Sequence, residues 1–310
     1  MVTTNPGVTT NTPDITAVSP ATITVKDTPG YRAFRMVNGL VLVVITFLTL
    51  YPFLNMVAKA FSSQAYIAAG QVNLWPRGFN LTTFASVMGD EIFWVNYRNT
   101  VVYTVLATAI AMALTTTFAY ALSKPYLKGR GVLIGLAMVT MLYAGGLIPN
   151  YLLIDALGFK NTVWAIVVPG AINVFNLLVM KSFFDNFPKD LEEAAEIDGM
   201  SQFGVFFRIV LPLSKAVIAT MTLFYAVQFW NSWFQAYLYL NDRDMYPVTL
   251  YLRNLLAAAT STTDLGSDTV QIQANVQSVA MLLTVLPIVC VYPFIQKYFV
   301  SGVMLGSVKG

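Results

Sequence analysis

Long uncharged apolar stretches alternate along the chain with shorter segments in which the charged residues collect. A hydrocarbon core about 30 Å thick is crossed by about 20 apolar helical residues. Six stretches reach that length, roughly 36–60, 99–123, 131–154, 163–180, 216–240 and 273–296. The pattern predicts an all-α fold with six membrane-spanning helices. Arg32 and Arg35 precede the first stretch, Lys124 follows the second and Lys297 follows the last. Tyr51, Trp94, Trp164 and Tyr298 lie near the edges, where amphipathic rings anchor at the interface. A buried soluble helix would explain any one stretch, but not six in one chain.

Composition agrees. Of 310 residues, 56% are hydrophobic and 11% charged, against roughly 45–50% and about 25% in ordinary globular chains. A net charge of +3 gives no reason to expect a nucleic-acid partner. There is no histidine, and the single cysteine, Cys290, lies inside an apolar run. Zinc, haem and nucleophilic-cysteine chemistry are therefore not expected. No G-x-x-x-x-G-K-[S/T] phosphate loop occurs, so the chain is not expected to hold ATP itself. The carboxylate pairs Asp90-Glu91 and Glu192-Glu193 fall outside the spans. Neither an enzyme nor a metal site is expected.

Lysine and arginine in short loops set the orientation. The loop after the second span holds Lys124, Lys128 and Arg130 and no acid. Alternation from there puts the N-terminus, this loop, segment 181–215 and the C-terminus on one side. That side carries twelve of the eighteen bases and is expected to be cytoplasmic. Residues 1–30, rich in Thr, Pro and Val, read as a disordered cytosolic tail, with the membrane domain over 31–310. The tail lacks the order of a cleavable signal peptide. Two outer segments are long: 61–98, with Trp75-Pro76-Arg77-Gly78 and Trp94, and 241–272, with the polar run Thr260-Ser261-Thr262-Thr263-Asp264. Each is either a connector or part of a docking surface for an external protein.

The span centres contain no ionisable side chain. Ion-coupled carriers normally bury such groups, although backbone carbonyls can also hold sodium. Energy is therefore expected from another subunit. Neutral polar residues do occur inside: Asn173 and Asn176 in the fourth span, Gln228, Asn231, Ser232 and Gln235 in the fifth, and Gln277 in the sixth. They serve either as interhelical hydrogen bonders that fix packing or as the lining of a route for a neutral solute. Tyr225, Gln228, Asn231 and Ser232 are the candidate path residues. Aromatic faces and amide edges together suit sugar rings.

Segment 187–212 carries the strongest motif. Pro188 suits a first helical turn, Asp190, Glu192 and Glu193 lie near the positive end of the helix dipole, and Gly199 can terminate the helix in the left-handed conformation. A second short helix is expected from about Ser201, with Pro212 at the turn into the fifth span. Glu193-Ala194-Ala195, then three residues and Gly199, then nine residues and Ile209-x-Leu211-Pro212, resemble the E-A-A-x3-G-x9-I-x-L-P signature of the membrane subunits of bacterial ABC importers. Ala144-Gly145-Gly146-Leu147-Ile148-Pro149, Phe229-Trp230-Asn231-Ser232-Trp233-Phe234 and the ending from Tyr292-Pro293-Phe294 to Val308-Lys309-Gly310 resemble the carbohydrate permeases. More closely, these segments resemble the branch for complex oligosaccharides or polysaccharide fragments, related to the second permease of maltose-type importers.

That resemblance implies a six-span subunit paired with a homologous second permease, two cytosolic ATP-binding cassette subunits that bind ATP and Mg, and an extracellular solute-binding protein. It implies that the two short helices couple to one ATPase. There Glu193 is the polar contact, Ala194 and Ala195 the close-packing surface, and Gly199 the hinge, with Asp198, Ile209, Leu211 and Pro212 completing the motif. A permease for a non-sugar solute, an ion-coupled secondary carrier and a membrane scaffold are the alternatives.

Overall fold

The computed structural model describes residues 28–261, 275–291 and 293, and among these every regular element is helical. Helix α1 (Pro29–Ala60) contains Pro52, and the chain divides there into two units, one ending at Pro52 and one beginning at Phe53. In the first unit the consecutive side chains Leu40, Val41, Leu42 and Val43 are all exposed. An apolar surface all the way round is the mark of a helix built for an apolar surrounding.

The second unit continues with α2 (Gln64–Ala68), α3 (Thr82–Met88), α4 (Glu91–Ser123), α5 (Arg130–Leu142), α6 (Leu147–Ala156), α7 (Trp164–Val167) and α8 (Val174–Asp185). It then runs through α9 (Lys189–Ile197), α10 (Gln202–Val205), α11 (Leu211–Leu213), α12 (Lys215–Trp230), α13 (Phe234–Tyr239), α14 (Val248–Ser261) and α15 (Asn275–Val291). Among the described residues, α1 and α4 are the single helices long and apolar enough to cross a membrane. The pair α5–α6, bent by 116°, and the stretch Gln202–Leu213 with α12, bent by 81°, reach that length only together.

Three expected spans are therefore interrupted. The stretch 131–154 breaks at residues 143–146, where Gly146 takes φ +88°, a value that suits a residue without Cβ. The stretch 163–180 breaks around Pro169, which cannot donate a backbone hydrogen bond. The stretch 216–240 breaks at residues 231–233. The expected sixth span is represented by α15, its outer ends lying outside the described residues. The expected tail lies outside them too, except its last three residues, of which Pro29 and Gly30 already belong to α1. Residues 262–264 of the polar run and nearly all of the chain ending are likewise outside.

Helix α4 organises the second unit. Asp90 caps it, its Oδ1 accepting from Ile92 N at 3.0 Å, and Glu91 adds charge of the sign that the helix start favours. Ala107, Ala111 and Ala119 are fully buried along it. These small side chains allow close approach of Tyr225 and Phe229 from α12, and of Leu177 and Met180 from α8. At its first end, Asn99 Nδ2 donates to Asp244 O (2.5 Å), Tyr103 Oη to Met245 O (2.9 Å), and Thr100 Oγ1 accepts from Val248 N (2.8 Å). Tyr251 donates to Asp90 Oδ2 at 2.8 Å. Burial, and then that carboxylate, raise the Tyr251 hydroxyl pKa well above its ordinary value.

Asn161 fixes a neighbouring connection. Its Oδ1 accepts from Asn241 N (2.9 Å) and Asp242 N (3.2 Å), its Nδ2 donates to Asp242 Oδ2 (2.8 Å), and its backbone N donates to Tyr239 O (2.8 Å). It does so at φ +56°, where a Cβ-bearing residue costs roughly 1–2 kcal/mol. Asn161→Gly removes the side-chain bonds but relieves the strain, whereas Asn161→Ala removes the bonds and keeps the strain. Thermal unfolding in detergent should rank wild type above Gly above Ala; equal midpoints for Gly and Ala would refute the strain argument.

Candidate functional site

The interrupted fourth and fifth spans face each other. After α7 the chain turns through Pro169 and Gly170, and Asn173 caps α8, its Oδ1 accepting from Asn176 N at 3.2 Å. Opposite, α12 stops at Trp230. Asn231 Nδ2 donates to Val227 O (2.8 Å) and Ser232 Oγ to Phe229 O (2.7 Å), so side chains reinforce the backbone bonds that these two carbonyls accept at the helix end.

Between the breaks lies a cavity of about 450 Å³, within the roughly 300–1,000 Å³ of small-ligand sites. Gly170, Asn173, Gln228, Asn231, Ser232 and Gln235 line it, with Phe229 as an aromatic wall, and no lining residue is charged. Asn173 Nδ2 approaches Gln228 Oε1 across it at 3.4 Å. A second cavity of about 530 Å³, mainly apolar, shares Asn173 and Gln228 with the first.

Three of the four path candidates, Gln228, Asn231 and Ser232, border the polar cavity. Tyr225 does not. It is fully buried, its hydroxyl lying 2.6 Å from Thr115 Oγ1 and accepting from Asn173 N at 2.9 Å. It ties α4, α12 and the break before α8 together behind the cavity. Gly170 was missing from the candidates. A Cβ there would stand 2.9 Å from Phe229 Cε1 and 3.6 Å from Gln228 Nε2. The Pro-Gly pair in an otherwise apolar stretch was the available signal.

At the other end of α4, segment 188–213 folds as short helices. Pro188 precedes α9, and Gly199 ends the turn at φ +80°. Its N donates to Glu196 O (3.0 Å) and Met200 N to Ala195 O (2.9 Å), which satisfies the last carbonyls. Ser201 caps α10. A π-helical turn, Phe206–Val210, follows, and Pro212 has no N–H to continue a regular ladder there. Glu193, Ala194, Asp198, Gly199 and Pro212 are exposed, while Ile209 and Leu211 are partly buried. Ala195 departs from expectation: instead of facing outward beside Ala194, it is buried in the chain's own core with Val205, Phe206 and Val210. One helical step separates the two alanines, enough to turn the second inward. Ile197, 86% exposed, and Phe203, 78% exposed, leave large apolar side chains uncovered on these short helices.

The loop after α4 joins the same end. Lys124 pairs with Glu192, Arg130 Nη2 lies 3.2 Å from Asp185 Oδ1, and Tyr126 donates to Gln202 Oε1 at 3.1 Å.

Long apolar helices, with shorter ones broken around a neutral polar cavity and an exposed helical hairpin at one end, define a helical membrane transport subunit. Residues 130–304 match the family described as binding-protein-dependent transport system inner membrane component, and the chain belongs to that family. It is a transport component of the membrane, not an enzyme. It is 41% identical over 290 residues to protein LplC of Bacillus subtilis (strain 168), covering 93% of this chain and 98% of that one. To the polygalacturonan/rhamnogalacturonan transport system permease protein YtcP of the same organism it is 38% identical, covering 90% and 99%. Its fold superposes with a TM-score of 0.79, at 30% identity over 88% of this chain and 98% of the other, on a bacterial ABC transporter involved in the import of the acidic polysaccharide alginate.

Tyr225→Phe deletes the hydroxyl shared by Thr115 and Asn173. Leaving buried partners unsatisfied costs about 1–3 kcal/mol, so the melting point of the purified protein should fall. An unchanged melting point would mean that the hydroxyl does not hold the two elements together.

Proposed function

We propose that the chain is a permease subunit of an ATP-driven importer that carries an oligosaccharide inward by alternating access. It works beside a homologous second permease, two ATP-binding cassette subunits that bind ATP and Mg, and an extracellular solute-binding protein. The observation that carries this reading is the uncharged, amide-lined cavity between two broken spans, in a chain of this family. Amide and hydroxyl groups hydrogen-bond sugar hydroxyls, and the Phe229 ring offers a stacking face. Gln228, Asn231 and Ser232 contact the solute, with Tyr225 supporting them from behind. The relatives support a saccharide: YtcP is a polygalacturonan/rhamnogalacturonan transport system permease protein, and the structural neighbour is involved in the import of alginate.

In this reading the chain spans the membrane six times, as α1, α4, α5–α6, α7–α8, α12–α13 and α15, with both termini cytosolic. Support comes from the contacts that gather the basic loop 124–130 and segment 185–202 at one end of α4. Segment 244–248 is bound at the other. Helices α9 and α10 dock on an ATPase through Glu193, Ala194 and Ile197, with Gly199 setting the angle between them. Asp198, Ile209, Leu211 and Pro212 shape that hairpin, and Ala195 holds it to the core.

Two measurements test the reading. Ile197→Asp puts a charge into the docking surface, and Gly199→Val strains the stop by roughly 1–2 kcal/mol. Both variants should insert and co-purify with the second permease but lose the ATPase in detergent pull-downs. Retention of the ATPase by both would reject the docking surface.

The second uses the whole complex in liposomes, with its binding protein and a labelled oligogalacturonide mixture. Uptake should require ATP and persist when proton and sodium gradients are collapsed. Gly170→Val overfills the cavity wall at about 1–3 kcal/mol and should slow uptake about tenfold. Gradient-driven uptake without ATP would reject the importer assignment.

A further inference from the structure

Lys124, the first residue beyond α4, pairs with Glu192 in the first turn of α9, and the two side chains are only 12% and 15% exposed. The Lys124 ammonium also sits 4.1 Å from the centre of the Tyr120 ring. That ring packs against Phe184 at 5.7 Å and Phe206 at 4.7 Å. A carboxylate from α9 and an aromatic face from α4 thus enclose one cation. Removing either partner of such a sheltered pair leaves an uncompensated charge, which gives the contact one favoured geometry. Glu193, the neighbouring acid, is exposed.

What Lys124 is attached to gives the pair its significance. Helix α4 runs unbroken for 33 residues. Eight residues before its end, Thr115 bonds the Tyr225 hydroxyl, which accepts from Asn173 at the cavity rim. At the far end Asn99, Thr100 and Tyr103 bind segment 244–248. A displacement of α9 that draws on α4 therefore reaches both.

We propose that the Lys124–Glu192 pair is a positioning strut that transmits movement of α9 along α4 to the cavity. The proposal rests on the reading of α9 as the ATPase-docking helix. Lys124 and Glu192 lie outside the docking surface itself, so their loss should uncouple movement without detaching the ATPase.

The test uses the full complex with Cys290→Ser and a reporter Gln235→Cys at the cavity wall. Maleimide labelling is compared with and without Mg-ATP and vanadate. The parent should show a nucleotide-dependent change in labelling. Lys124→Met and Glu192→Gln should each shrink that change about fivefold or more with the ATPase still bound. The reversed pair, Lys124→Glu with Glu192→Lys, should recover more of it than either reversal alone, the non-additivity expected of a direct contact. A full response in Lys124→Met would overturn the strut and leave the transport reading standing. Loss of response only together with loss of the ATPase, or a reversed pair no better than its single members, would also overturn it. A parent that binds the ATPase but does not respond to nucleotide would remove both the strut and the transport reading.

Discussion

Inside hydrocarbon a peptide group finds no water, so each interruption of a helix must be answered by a partner within the protein. This constraint accounts for the arrangement of the second unit. Where α7 gives way to α8, Asn173 caps the new helix and its own amide is received by Tyr225. Where α12 stops, Asn231 and Ser232 fold back on Val227 and Phe229. In hydrocarbon, non-helical backbone is tolerated where it is enclosed by protein or borders a cavity, and here both breaks border the same one. The cavity and the breaks belong to one solution.

Much of this was legible in the sequence, and what was not has identifiable causes. Continuous apolar runs gave α1 and α4 directly, because a helix without interruption is specified by local composition. Three other runs were equally apolar on average yet are broken. Averaging hides Gly145-Gly146, Pro169-Gly170 and Asn231-Ser232, which act through single backbone positions. Asn99, Thr100 and Tyr103 escaped notice because their partners lie more than 140 residues away. Gly199 was readable, since a small acidic-started helix needs a left-handed stop. The burial of Ala195 in the chain's own core is less readable, because composition says that a small residue packs closely but not against what.

The candidate site divides along the same line. Tyr225, Gln228, Asn231 and Ser232 stand together as path candidates in the sequence, but the path of α12 buries the tyrosine and leaves the other three at the cavity. A phenol linked to two elements supports a site more than it lines one. The lack of charge around the cavity also has a use. A neutral lining can hold a hydroxylated solute through many weak, replaceable bonds and release it without separating an ion pair.

Helix α4 has a consequence of another kind. At 1.5 Å per residue its 33 residues extend about 50 Å, well beyond a hydrocarbon core of about 30 Å. Its attachments, Lys124 at one end and Asn99 to Tyr103 toward the other, are made to protein groups rather than to lipid. The separation between the two surfaces that it joins is therefore fixed by a rigid rod. In thinner or thicker bilayers the lipid must stretch, compress or let the rod tilt, while the span between its two sets of protein contacts stays the same.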